Sequence, residues 1–291
     1  MDPNDYLERS APALPQPSAF LRNGFTILHH LLDASELKNV RLAVEEVVAS
    51  PRRCGTCVRP HNTLLPLRWS DSVVRLLLGS SARVRAIAEA VGAADPKWIS
   101  GYVSIKEART PPLWWHQDWW CWDHPISFRR PAPQVAVLCY LTTTDVESGA
   151  LRVLPRSHHR SLPIHALLPE RHAEPADAVE EGHPAMTDQP GQVTIGLAAG
   201  DAVVIDYRLL HGTHGNTAHT RRDCMLLSFT PSWRDLPADV RAHLIQHPAL
   251  PSDGEQPPAG GWETRLVPSF DGVPKSLHVN RTPPRVFEAT E

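Results

Sequence analysis

The chain has 291 residues, with 29 Lys+Arg against 32 Asp+Glu and a formal net charge of −3 at pH 7. That length suits one large domain or two small ones, and the near-cancellation of charge excludes a protein that binds nucleic acid by neutralising its backbone. An apolar share of 42% without long like-charge blocks excludes a disordered chain, and no apolar run approaches the length that spans a bilayer.

In chain order, residues 1–18 are polar and Pro-punctuated, without the apolar core of a secretory signal, and read as a flexible arm. GFTIL at 24–28 has strand character. A helix starts after Asp33, where Glu36 three residues on completes a capping box and Leu37, Val40, Val44 and Val47 keep one apolar face; Pro51 stops it. Two further helices are predicted over 71–78 and 81–91, the second capped by Gly92. Between Pro51 and the first of these two lies Cys54-Gly55-Thr56-Cys57, a single CxxC read as a chance pair in a loop. Residues 19–95 are therefore expected to be a mainly helical flank. From there the pattern changes to short β-rich runs at 97–106, 134–142, 150–154, 192–197, 202–205 and 223–230. Helical patterns do not alternate with them, so an antiparallel sandwich or barrel is expected rather than a parallel sheet. The long stretch 155–189, rich in His, Pro and Glu, reads as a lid whose histidines His158, His159, His165, His172 and His183 are solvated. A short helix near 238–246 leads into a Pro/Gly-rich C-terminal extension over 231–291. Five cysteines, an odd number, suit a reducing compartment and hence the cytoplasm.

Two places carry chemistry. In Trp114-Trp115-His116-Gln117-Asp118-Trp119-Trp120, an extended backbone puts residues i and i+2 on one face, so His116 and Asp118 can grip one ion. His211 emerges near the end of an apolar strand, beside Gly212 and Thr213. Two histidines and one carboxylate from strand ends make a facial triad with open coordination positions, the geometry of non-haem Fe(II) oxygenases. Arg221-Arg222 follows, and a guanidinium in a β-rich cavity calls for an anion. Lys106, at a strand end, is read either as facing the site or as a surface residue.

His-Gln-Asp with its aromatic cluster, ESGALRVLPRSH at 147–158, AGDAVVID at 199–206 and the HGTHGN…R run resemble the phytanoyl-CoA dioxygenase family of Fe(II)/2-oxoglutarate oxygenases over about residues 20–230. The resemblance implies a mainly β fold with flanking helices, a double-stranded β-helix (jelly roll, cupin-like). It implies Fe(II), 2-oxoglutarate and O2, with His116, Asp118 and His211 as iron ligands. Arg222 then matches the arginine that takes the distal carboxylate of 2-oxoglutarate. Thr213 matches an assisting hydroxyl, Asn216 the asparagine after the distal histidine, and Arg221 ranks behind Arg222. The motif departs from the family at Arg156, where Gly is usual. An aspartate at 118 leaves no ligand vacancy for a halide and favours oxygen chemistry. Trp119, Trp122 and Trp114 are expected to form substrate walls.

Together these readings give an arm over 1–18 and one oxygenase domain over 19–291, with its core at 96–230 and a lid near 155–189. The expected activity is hydroxylation, or other oxidation, of a small organic molecule, an intermediate of natural-product biosynthesis, with 2-oxoglutarate converted to succinate and CO2. The alternatives are an acyl-CoA hydroxylase and a non-catalytic jelly-roll binding protein. The expected partner is a small molecule, with no nucleic acid or membrane; the oligomeric state is left open.

Overall fold

Short β-rich runs build two antiparallel sheets in the computed structural model, which describes residues 17–51, 55–58, 62–168, 182–251 and 261–290. The larger sheet has the order β1-β9-β6-β11-β4-β3-β2 and the smaller β5-β10-β7-β8. In the larger sheet β1 is Phe25–Leu28, β9 Ala202–Asp206, β6 Val135–Tyr140, β11 Arg222–Thr230, β4 Lys97–Lys106, β3 Thr63–Leu67 and β2 Cys57–Val58. The smaller holds β5 Leu113–His116, β10 His211–Thr213, β7 Leu151–Val153 and β8 Val193–Ile195. Two sheets facing each other over a shared interior form the jelly roll that the resemblance implied.

Side-chain alternation explains why both faces of the larger sheet are apolar. On β6, Val135, Val137 and Cys139 join the core under the helices. Ala136, Leu138 and Tyr140 point the other way, into the core between the sheets with Leu151, Val153, Val193 and Ile195. The helices α1 (Pro17–Asn23), α2 (Ala34–Ala49), α3 (Ser72–Leu78) and α4 (Ser81–Val91) cover the outer face, and α5 (Ala238–Leu244) follows the last strand. The capping box is present: Asp33 accepts from the Glu36 amide at 2.8 Å and Glu36 accepts from the Asp33 amide at 3.1 Å. Gly92 caps α4 at φ 68°.

The region over 19–95 is more than a helical flank. β1 pairs with β9 and β3 with β4, so this region adds three strands to the larger sheet. The sequence signal was thin there because β3 carries a proline and β2 spans two residues. Of the arm read over residues 1–18, residues 1–16 lie outside the described residues, as does Cys54, while Pro17 and Ser18 open α1 rather than a flexible segment. Of the 155–189 stretch, 169–181 lie outside them, while both flanks are anchored. Ser157 and His158 are buried, and so is His165, which corrects the solvated reading of these two histidines. Arg156 takes φ 70°, the left-handed region that explains the usual glycine.

Candidate functional site

Strand register brings the first residues together. β5 and β10 pair antiparallel with His116 directly opposite His211, and a register shift follows at Gly212. A Cβ on Gly212 would meet the Leu113 carbonyl oxygen at 2.7 Å, so only glycine lets the strands approach this closely. β10 is fixed from its other side: Ser157 Oγ donates to the Leu154 carbonyl at 2.7 Å and accepts from the Leu210 amide at 2.8 Å.

Both imidazoles are held in one tautomer. His116 Nδ1 lies 2.8 Å from the Trp114 carbonyl and His211 Nδ1 lies 2.9 Å from the Leu209 carbonyl. A carbonyl only accepts, so Nδ1 carries a proton, which leaves Nε2 as the nitrogen that can offer a lone pair to a metal. The Nε2 atoms stand 3.8 Å and 3.6 Å from the two carboxylate oxygens of Asp118. The Asp118 amide in turn donates to the Tyr207 carbonyl at 2.8 Å. Among the described residues these three are the one such cluster, with ligand atoms within 4.8 Å of one another. Two imidazole Nε2 atoms and a carboxylate suit a first-row divalent ion such as Fe(II).

Asp118 borders two cavities. The smaller, about 70 Å³, is lined by His116, His211, Thr213, Tyr140 and Arg222. Arg222 is buried; Nη1 donates to the Gly149 carbonyl at 3.2 Å and the guanidinium lies over the Tyr140 ring at 5.4 Å, while Nε has no hydrogen-bond partner. Lys106 pairs with Arg222 across β4 and β11 and donates to the Pro111 carbonyl at 2.7 Å. Burial, then Arg222 and Arg152, push the Lys106 ammonium down to about 7. A small, positively charged cavity ending in an unsatisfied guanidinium nitrogen fits a dicarboxylate such as 2-oxoglutarate.

The larger cavity, about 530 Å³, also borders Asp118, with Tyr102, Trp120, Tyr207, His243 and Arg281 among its walls. Trp120 stacks on His243 with ring centroids 4.3 Å apart.

Several expected residues lie elsewhere. Arg221 falls on the opposite face of its strand from Arg222, where it pairs with Glu45 and with Asp223 at 3.0 Å, so it does not reach the smaller cavity. Asn216 is buried but lines neither cavity; its amide donates to the carbonyls of Lys106 and Thr220 at 3.2 Å and 2.9 Å and fixes the loop before β11. Trp119 and Trp122 are core residues rather than substrate walls. Trp119 donates to Ser127 Oγ at 2.8 Å, and Trp122 packs against Phe287 at 5.1 Å. Trp114 lines the smaller cavity. The surface reading of Lys106 is corrected, since it is fully buried. Trp120, Tyr102, Tyr207 and Arg281 were missed. Trp120 adjoins the favoured Trp119, but the segment after β5 is not a strand and alternation fails there; Arg281, in a Pro-rich tail, carries no local signal.

The family model of phytanoyl-CoA dioxygenase (PhyH) matches residues 20–224, and the chain belongs to that family. It is similar to an L-proline trans-4-hydroxylase of Streptomyces griseoviridis, 24% identical over 272 residues, covering 85% of this chain and 96% of the relative. Among solved structures it resembles EvdO2 from Micromonospora carbonacea var. aurantiaca, crystallised with 2-oxoglutarate, at 26% identity and TM-score 0.55 over 76% of this chain and 92% of that one. The epimerase SnoN from nogalamycin biosynthesis shares the fold, at 20% identity and TM-score 0.53 over 79% of this chain and 84% of that one. The chain is an Fe(II)- and 2-oxoglutarate-dependent oxygenase. Among the described residues no helix is long and apolar enough to cross a membrane.

Proposed function

We propose that this member of the phytanoyl-CoA dioxygenase family hydroxylates, or otherwise oxidises, a natural-product intermediate held in the larger cavity, with His116, Asp118 and His211 as its iron ligands and Arg222 as the anchor of 2-oxoglutarate. The observation that carries the reading is the convergence of two Nε2 lone pairs and one carboxylate between two cavities of different character. Bound iron supplies activation of O2, with 2-oxoglutarate as the electron source that leaves as succinate and CO2.

The chain's own residues do the rest. The Trp114 and Leu209 carbonyls hold the two imidazole protons at Nδ1 and orient the rings. Arg222 offers a charge-assisted fork to the distal carboxylate, and Thr213, on the wall of the same cavity, offers a hydroxyl. Lys106, its neighbour across β4 and β11, adds positive charge when protonated. Trp120, Tyr207 and Leu226 wall the larger cavity and limit water around the reacting carbon. The volume of that cavity, and the shared fold of SnoN, support a small-molecule substrate of the natural-product kind. The buried free thiols Cys121, Cys139 and Cys224 suit the cytoplasm.

An acyl-CoA substrate is less well supported. Its phosphates call for several cations, and Arg281 is the one permanent cation on the described walls of the larger cavity. The test is anaerobic addition of Fe(II) and 2-oxoglutarate, which should give a weak visible charge-transfer band, followed by oxygen-dependent release of succinate. A chain that gives neither band nor succinate would be a binding module.

A further inference from the structure

Arg281 is the basic group placed nearest the metal ligands on the substrate side. It arrives from the C-terminal segment, which is built against the chain that follows the iron-binding motif. Asn280 bridges to Cys121, its carbonyl accepts from the Trp122 amide at 3.1 Å, and its side chain donates to Asp123 at 2.6 Å. That pairing sets the neighbouring Arg281 beside Asp118, whose backbone carbonyl accepts from Arg281 Nη1 at 3.1 Å. This is the one hydrogen bond of Arg281 among the described residues, and no carboxylate there forms an ion pair with it. Asp118 itself directs its carboxylate oxygens toward the two histidines.

A guanidinium stays protonated even where burial opposes it. Burial holds the Arg281 pKa below its ordinary value, partly offset by Tyr207 and Tyr102. Among the described residues the one carboxylate that shares this cavity with the half-buried Arg281 charge is that of Asp118, and it is turned toward the two histidines rather than paired with the guanidinium, which leaves little to offset its desolvation. Two other basic groups on the wall do not add charge at neutral pH: burial pushes His243 down and His247 down to about 4. With Asp118 committed to the metal, Arg281 is the one remaining charge on the described wall, and a ligand with one negative charge balances it. A carboxylate also matches the planar fork, whereas a doubly charged phosphate would leave one charge uncompensated.

We propose that the substrate is a monoanionic carboxylic acid, its carboxylate paired with Arg281 and its apolar part lying along the Trp120–His243 stack. The proposal rests on the reading that His116, Asp118 and His211 hold the iron. Because the guanidinium hangs from the backbone of Asp118, it also sets regiochemistry. The oxidised carbon lies only a few bonds from the substrate carboxylate.

The test uses the anaerobic Fe(II)/2-oxoglutarate enzyme and three matched pairs of probes: N-acetyl-L-proline with N-acetyl-L-prolinamide, phenylacetate with phenylacetamide, and indole-3-acetate with indole-3-acetamide. Each is titrated to about 10 mM, beyond the range of weak millimolar binding, while the charge-transfer band is followed. At least one acid should perturb the band, and its amide should need roughly 30-fold more or fail to act, the size expected for a lost charge-assisted contact. Arg281→Leu should lose the response to that acid by a similar factor, and Arg281→Lys should recover part of it, with every response scaled to the band each variant forms. Amides as effective as acids, an undiminished response in Arg281→Leu, or no response to any acid would overturn the proposal. A wild-type enzyme that forms no band at all would instead overturn the underlying reading of the iron site.

Discussion

Asp118 stands between two cavities that are built in different ways. The smaller one is made by strands: His116 and His211 face each other in register, and Arg222 opens the strand that runs beside β4. The larger one is assembled from places far apart in the chain, with Tyr102 on β4, Trp120 and Tyr207 in connections, His243 on α5 and Arg281 in the C-terminal segment. Strand register fixes side-chain direction every second residue, so chemistry that must not vary sits there. Walls drawn from loops and a tail can change residue by residue without disturbing that register. The contrast fits an enzyme class that keeps its iron chemistry and varies its substrates.

The largest effect should come from the residue common to both cavities. Asp118→Ala is expected to lower iron affinity more than about 100-fold, beyond the loss typical of groups that merely orient a ligand, and to abolish succinate release while circular dichroism shows a folded chain. Turnover near the wild-type value would remove Asp118 from the site. Within the smaller cavity, Arg222→Leu should cost about 2–5 kcal/mol of 2-oxoglutarate binding, a rise in KM of roughly 30-fold to several thousand-fold. Arg221→Leu breaks only a partly exposed ion pair, and KM should change less than about 5-fold. The reverse order would mean that the strand's faces are assigned the wrong way round.

Adjacent tryptophans sharpen the comparison further. Trp119→Ala removes a fully buried ring from the core and should destabilise the fold by about 3–5 kcal/mol in urea unfolding. Trp120→Leu, on the wall of the larger cavity, should weaken substrate binding more than it weakens the fold. Equal losses of stability would make both residues core and leave the cavity without its flat wall.

A smaller effect follows from Lys106. Its folded pKa lies near 7 and its ordinary value is 10.5. Between these values the unfolded chain binds more protons, so stability from this group rises with pH across that window; below about pH 7 both states are protonated and the contribution is flat at its least favourable level. Without iron and 2-oxoglutarate, Lys106→Met should therefore be more stable relative to wild type at pH 6 than at pH 9, by on the order of a few °C in Tm. A difference independent of pH would mean that Lys106 keeps its ordinary pKa in the fold.

Legibility followed the same division. The capping box of α2, Gly92 and the β-rich run at 134–142 are local signals, and the structure has them, the run as β6 over Val135–Tyr140. The cluster of His116, Asp118 and His211 was legible because each residue sits at or just beyond a strand end, and Arg222 because it opens a strand. The resemblance pointed to Trp119 and Trp122 as walls, but just past the strand end Trp119 turns into the core and Trp120 to the cavity. Arg281 could not be found that way: its place depends on the pairing of Asn280 with Cys121, a contact between distant segments that no local pattern announces. The buried Lys106 was ambiguous for a similar reason, since its environment comes from Arg222 and Arg152 on other strands.

The most direct test of the account is a crystal of the protein with Mn(II) in place of iron and 2-oxoglutarate bound, measured for anomalous scattering. The account predicts one manganese peak about 2.1 Å from His116 Nε2, His211 Nε2 and an Asp118 carboxylate oxygen, with the far carboxylate of 2-oxoglutarate on Arg222. A peak coordinated elsewhere, or 2-oxoglutarate bound away from Arg222, would contradict it.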